Sequence, residues 1–285
     1  MQDLNIKKTT CSDFEKVYPL LLDFNSPFDY DDWMNIFNYC WDGVEDYVGY
    51  HLEQDTHVVG FMGLIFSYKL IEGKKIKFCN ISSLIVKPEY RASSILFIRK
   101  LNELKDVILT GLGPIEASYQ LLSRVGFKTL ETHSIIIPVI NGLLTRQKIN
   151  YYEMPKLLEL IDVEPRRIVQ DHMNKNCKIL LLNVSDKFCL LVYKLIMQKH
   201  KGILVKKIRI IHIGDPVFFR KHIPSVLRIF LKLFGFATAL YLDQRFISPG
   251  SSCFFITKPI EPPKIYRGDI SVLHIDELYS ETSLL

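Results

Sequence analysis

The sequence predicts an α+β protein of two similarly planned lobes, each a mixed, mostly antiparallel sheet flanked by helices. Three observations carry this. Three alternating, β-branched segments follow one another between residues 46 and 87, the last two separated by the turn Glu72-Gly73-Lys74. The third runs through Pro88 into the small residues Ala92-Ser93-Ser94 and then into apolar residues at helical spacing. The same order of elements recurs between residues 177 and 242, and 285 residues suit two domains of ordinary size.

Residues 11–41 read as one or two short helices rich in aromatic residues, Phe24 among them, punctuated by Asn25, Pro27 and a run of aspartates. Asp29, Asp31 and Asp32 are placed to cap the helix carrying Trp33, because carboxylate oxygens accept from free amides of a first turn. Strands are expected over 46–53, 57–70 and 76–87, and a helix over 95–104, where Ile95, Phe97, Ile98, Leu101 and Leu104 share a face. A short strand at 107–109 precedes the break Gly111-Leu112-Gly113-Pro114. A helix over 115–125 stops at Gly126, and residues 127–138 read as the first lobe's closing strand. The first domain is taken as 1–145 and the second as 146–285, with the joint in the Pro-containing, mixed-charge stretch 150–171. In the second lobe, strands fall at 177–184, 187–197 and 205–213, a helix at 216–233 and a strand at 237–242. The match between halves lies in element order and not in residue identity.

A net charge of +5 permits an anionic partner, but the basic residues are scattered, which fits a phosphate-bearing small molecule and argues against nucleic acid. The longest apolar stretches, 134–144 and 225–242, are interrupted and fall short of the roughly 20 apolar residues of a bilayer span. Residues 1–10 lack the apolar core of a signal peptide, so a cytoplasmic location is expected. The cysteines at 11, 40, 79, 177, 189 and 253 form no Cys-x-x-Cys pair and read as buried reduced thiols in preference to metal ligands or disulfides. Dispersed histidines give no metal-ligand spacing, so no metal is expected.

The chemically informative stretch is Asn80 to Leu96. A strand that turns through small residues into a helix presents amide N–H groups at the positive end of the helix dipole, a seat for a pyrophosphate. Leu84, Val86, Pro88, Tyr90 and Arg91 resemble the signature of the GNAT (Gcn5-related) acyl-CoA acyltransferases. In that signature an apolar strand ending in Val-x-Pro-x-Tyr/His-Arg leads into a glycine-containing loop that holds coenzyme A. Residues 117–127, ending in Val-Gly-Phe, look like the family's helix before its last strand.

The resemblance implies a GNAT fold and acetyl-CoA or another acyl-CoA as co-substrate, held by Leu84, Ile85, Val86, Arg91, Ala92, Ser93, Ser94, Ile95 and Leu96. Ser94 and Leu96 stand where the family has glycine or another small residue. If those positions need a left-handed or close-approach backbone, each replacement costs about 1–2 kcal/mol. The family's common thiolate-protonating tyrosine corresponds to Leu122, so Tyr119, one turn earlier, is the candidate acid and alternatively a packed aromatic. Glu116 and Glu53 are conceivable bases, with a cap or a solvated face residue as the ordinary reading of each. Asn80, Ser82 and Ser83 form a polar run inside a central strand and could orient an acceptor.

Gly60-Phe-Met-Gly, Cys79-Asn-Ile-Ser-Ser and the ending Ile275-Asp-Glu-Leu-Tyr-Ser-Glu resemble bacterial GNAT-related proteins of surface-polysaccharide biosynthesis. This implies transfer to an amine or hydroxyl of a small acceptor, such as a sugar. The competing expectation is a non-catalytic relative that keeps the fold for binding. His212-Ile-Gly-Asp-Pro216 occupies the second lobe's equivalent corner and reads as a strand-to-helix turn with Pro216 at the first helical position. The helix after it is expected in the core, with packing on the first half or a membrane surface as alternatives.

Overall fold

The computed structural model describes residues 4–23, 28–39, 41, 45–173, 176–200, 203–247 and 253–285; Phe24, Asn25, Pro27 and Cys40 lie outside them. In chain order the strands are β1 (Asn5–Thr9), β2 (Gly49–Gln54), β3 (His57–Ile71), β4 (Lys74–Val86), β5 (Val107–Gly111), β6 (Lys128–Pro138), β7 (Asn150–Tyr152), β8 (Lys178–Val184), β9 (Lys187–His200), β10 (Ile203–Ile213), β11 (Thr238–Asp243) and β12 (Ile256–Arg267). The helices are α1 (Phe14–Leu21), α2 (Tyr30–Phe37), α3 (Ser94–Glu103), α4 (Glu116–Ser123), α5 (Leu157–Leu160), α6 (Val163–His172), α7 (Pro216–Phe234) and α8 (Glu281–Leu284).

The chain forms two compact units. One comprises Met1–Leu130, Pro262–Ser271 and Tyr279–Leu285, the other Glu131–Glu261 and Val272–Leu278. In the first unit β1, β2, β3 and β4 pair antiparallel in sequence, and β4 pairs parallel with β5 from Lys77↔Val107 to Asn80↔Thr110. On the other side of β5 lie Ile265, Tyr266 and Arg267 of β12. Residues 134–138 of β6 were expected to close this lobe, but they pair with β11 in the second unit. Alternation marks a strand without naming its neighbour, and that choice is made by contacts distant in sequence.

One face of the first sheet carries a core of Met62, Leu64, Phe66, Cys79, Ile81 and Leu109 against Phe97, Ile98 and Leu101 of α3 and Leu122 of α4. The opposite face packs α1 and α2 through Phe14, Phe37 and Phe61, with Phe37 stacked on Phe61 at 5.4 Å. Asp29 caps α2 by accepting from the amide of Asp32 at 3.0 Å.

The second unit repeats the plan. β7, β8, β9 and β10 pair antiparallel, and β10 pairs parallel with β11 from Lys206↔Thr238 to Arg209↔Tyr241. α7 buries Phe218, Phe219, Ile223, Val226, Leu227 and Phe230 in this unit's core. Its start follows from the sequence: Asp215 accepts from Phe218 N at 2.9 Å, and Pro216 occupies the first turn. Among the described residues no helix is long and apolar enough to cross a membrane.

Candidate functional site

In the first unit β4 outruns its parallel neighbour. Its pairing with β5 ends at Asn80↔Thr110, whereas its pairing with β3 continues to Gly60↔Val86. Beyond Asn80 the two parallel strands diverge, leaving one edge of residues 81–86 without β5. The chain bulges there: Gly63 faces Ser83 and Leu64 faces Ile81, so Ser82 is the extra residue.

A cavity of about 900 Å³ lies at this divergence, within the usual range for small-molecule sites. Leu84, Ile85 and Val86 line it from β4, Lys87, Pro88, Arg91 and Ser94 from the corner, and Ile115, Ala117, Ser118 and Leu121 from the start of α4. Leu20 and Asp23 complete the lining, so the wall is mainly apolar and carries the cations of Lys87 and Arg91 and the carboxylate of Asp23. Pro88–Ser93 forms a 3-10 turn that runs directly into α3. Tyr90 N donates to Lys87 O at 2.9 Å, and Ser94 donates to Arg91 O through both its amide and, at 2.7 Å, its hydroxyl. Part of the amide cradle is thus engaged by the turn itself.

Ser94 has φ −56° and ψ −22°, and Leu96 lies inside α3. The left-handed penalty anticipated for these two residues does not arise, because the 3-10 turn carries the chain round the corner with right-handed torsions that any L residue adopts. Ala92 and Ile95 are exposed, and Ser93 and Leu96 are half-buried, beside the cavity-lining Arg91 and Ser94.

The remaining sequence candidates separate. On α4 the cavity face is Ala117, Ser118 and Leu121, whereas Tyr119 packs toward the core that contains Leu122. Glu116 is exposed and accepts from Gln120 Nε2 at 2.7 Å. Glu53 is held by Lys7 at 3.0 Å and by Lys16, and these two cations lower its pKa to about 2. Cys79 is fully buried in the core, where desolvation pushes its thiol up and keeps it protonated. Cys11, expected to be buried like it, proves exposed.

Asn80, Ser82 and Ser83 do come together. Asn80 pairs across the sheet with Ile65 and Ser83 with Gly63, which sets them on one face, opposite Cys79 and Ile81. A Cβ built on Gly63 would lie 2.5 Å from the hydroxyl oxygens of both Ser82 and Ser83. Both hydroxyls are buried with no hydrogen-bond partner. Thr110 Oγ1 donates to Asn80 Oδ1 at 3.1 Å, and Asn80 Nδ2 donates to Glu281 Oε2 on α8. Glu281 was not singled out from sequence. Its signal was the polar, capped ending Tyr-Ser-Glu, which does not reveal where the tail docks.

The second unit has the same parallel pair and a bulge at Ile211 in β10, but its corner is filled. Arg209 donates to Glu277 through Nε and a terminal nitrogen, both at 2.8 Å, and His212 Nδ1 lies 2.8 Å from Asp276 Oδ2. The space left there is about 10 Å³, enough for one water at most.

Architecture of this kind recurs in solved structures. A GCN5-related N-acetyltransferase from Anabaena variabilis superposes with a TM-score of 0.61 at 13% identity, covering 93% of this chain and 72% of that one. The chain has the GNAT fold. A GCN5-related N-acetyltransferase from Kribbella flavida shares the fold with a TM-score of 0.58 at 14% identity, over 93% of this chain and 71% of that one. So does the glucosamine N-acetyltransferase region of a fungal multi-domain GH3 β-N-acetylglucosaminidase, with a TM-score of 0.57 at 13% identity, over 93% of this chain and 38% of that one. No family model matches the sequence, and no curated protein matches it. In GNAT terms, β4 and β5 are the diverging parallel pair and α3 follows the corner.

Proposed function

We propose that this chain is an acyltransferase that moves an acyl group, acetyl first among them, from acyl-CoA to an amine or hydroxyl of a small acceptor. One observation carries the reading: the cavity of about 900 Å³ opens where β4 and β5 part and is lined by Leu84, Ile85, Val86, Arg91 and Ser94. An extended pantetheine fits along the free edge of residues 84–86. The diphosphate then faces Lys87, Arg91 and the start of α3, where cationic side chains and the helix dipole favour a dianion. Ala92, Ser93, Ile95 and Leu96 flank that seat.

The acceptor attacks the thioester carbonyl directly, so the protein's task is to position the reactants and to stabilise the oxyanion with strand amides near the bulge. Asn80 and Ser82 lie on the face from which an acceptor would approach. The core side of α4 favours Tyr119 as a packing residue, which leaves the departing thiolate to take its proton from water. An amino sugar is the acceptor class to test first, which agrees with a role in polysaccharide chemistry.

Buried Leu122, in place of the family's common tyrosine, favours a second reading in which the fold binds acyl-CoA without turnover. Calorimetry with acetyl-CoA and longer acyl-CoAs, followed by thiol release in the presence of glucosamine, separates the two. Absence of binding at millimolar acyl-CoA overturns both.

A further inference from the structure

We infer that Glu281 is the general base that takes the acceptor's proton. The inference rests on the acyltransferase reading and adds to it a residue from the far end of the chain. Four observations within the first unit converge on this carboxylate. Glu281 Oε2 accepts from Asn80 Nδ2, and Asn80 is the last β4 residue still paired with β5. Thr110, the partner of Asn80 in that last pair, donates to Asn80 Oδ1, which fixes the amide with its NH₂ toward the carboxylate. Oε1 points at the turn between β5 and α4, 3.8 Å from where a Cβ on Gly113 would stand, and that turn ends at Ile115 in the cavity wall. Ser83, 4% exposed, shares the face of Asn80 and has an unpartnered hydroxyl, as does its neighbour Ser82. Buried hydroxyls without partners are costly, and an acceptor with hydroxyl or amine groups would satisfy them.

The two carboxylates that the sequence offers as bases are engaged elsewhere or solvated. Glu53 is neutralised by Lys7 and Lys16, and Glu116 is exposed beside Gln120. Glu281 is half-buried and accepts from the neutral amide of Asn80.

The step balances as follows. The acceptor nitrogen or oxygen forms a bond to the thioester carbonyl carbon as its proton passes to the Glu281 carboxylate. The tetrahedral centre collapses, the C–S bond breaks, and its electron pair leaves on sulfur. The proton then moves from Glu281 through water to the thiolate, giving the acylated acceptor and free coenzyme A.

The full chain, Glu281→Gln and Glu281→Ala are compared for acetyl-CoA affinity by calorimetry and for thiol release from acetyl-CoA with glucosamine and with water alone. Both variants are expected to bind acetyl-CoA within about twofold of wild type and to lose about 10²- to 10⁴-fold in release rate. Added formate is expected to restore part of the rate to Glu281→Ala and none to Glu281→Gln. Release at the wild-type rate in Glu281→Gln overturns the inference. So does a loss that accompanies weakened acetyl-CoA binding and resists formate, which marks a structural role. Wild type that binds acetyl-CoA but releases no thiol with either acceptor overturns it as well. Wild type that binds no acetyl-CoA instead brings down the acyltransferase reading beneath it.

Discussion

Thr110 Oγ1 donates to Asn80 Oδ1 at 3.1 Å across the last paired rung of the parallel strands β4 and β5. This bond ties the point of divergence to the carboxylate of Glu281, because Asn80 has one amide oxygen for Thr110 and one NH₂ for Glu281. Thr110→Val keeps the shape of the side chain and removes the donor. It leaves a buried acceptor unpaired, at a cost of about 1–3 kcal/mol in chemical denaturation. Thiol release should fall further than acetyl-CoA affinity, since the cavity wall at 84–94 is untouched.

Gly63 is required by the bulge and not by its own torsions. Its Cβ would stand 2.5 Å from two hydroxyl oxygens, so Gly63→Ala should destabilise the protein by about 1–3 kcal/mol. Ser82→Ala or Ser83→Ala in the same chain should return part of that loss. A double-mutant cycle by urea denaturation checks it, and simple additivity would contradict the proposed contact.

Ser94→Asp should lower acetyl-CoA affinity about tenfold or more, because it sets a carboxylate in the cavity wall beside the diphosphate seat. The fold should hold, since an acidic side chain in the first turn of α3 favours the helix. Calorimetry and a thermal melt read the two effects separately. Ser94→Gly, by contrast, should relieve no strain, because φ at this residue is already −56°.

Lys16 and then Lys7 hold the Glu53 carboxyl down from its usual 4.5 to about 2. A depressed carboxylate adds stability that is complete above the unfolded-state pKa and is lost as pH falls through the folded-state value. The difference in stability between wild type and Glu53→Gln should therefore be constant above about pH 5 and shrink between pH 4.5 and about 2. Denaturant midpoints across that range measure it, and raised salt should reduce the difference.

Much of the fold was legible because its signals are local. The alternation of residues 57–70 and 76–87 marked β3 and β4, and the cap Asp29 and Pro216 at the first helical position marked the starts of α2 and α7. The cavity-lining segment was legible for the same reason, since strand, corner and helix are contiguous from Leu84 to Ser94. Short elements such as β1, β7 and α8 carry too few residues for a periodicity to emerge.

What the sequence determined by itself is the series of elements and the apolar edge that turns at Pro88, since both depend on neighbours along the chain. Tertiary structure alone decided that residues 265–267 lie beside β5, that 134–138 lie beside β11, and that Glu281 reaches Asn80 across 201 positions. Strand partners and buried polar contacts are selected by desolvation and hydrogen bonding among distant segments. That energy exists only once the chain has closed on itself.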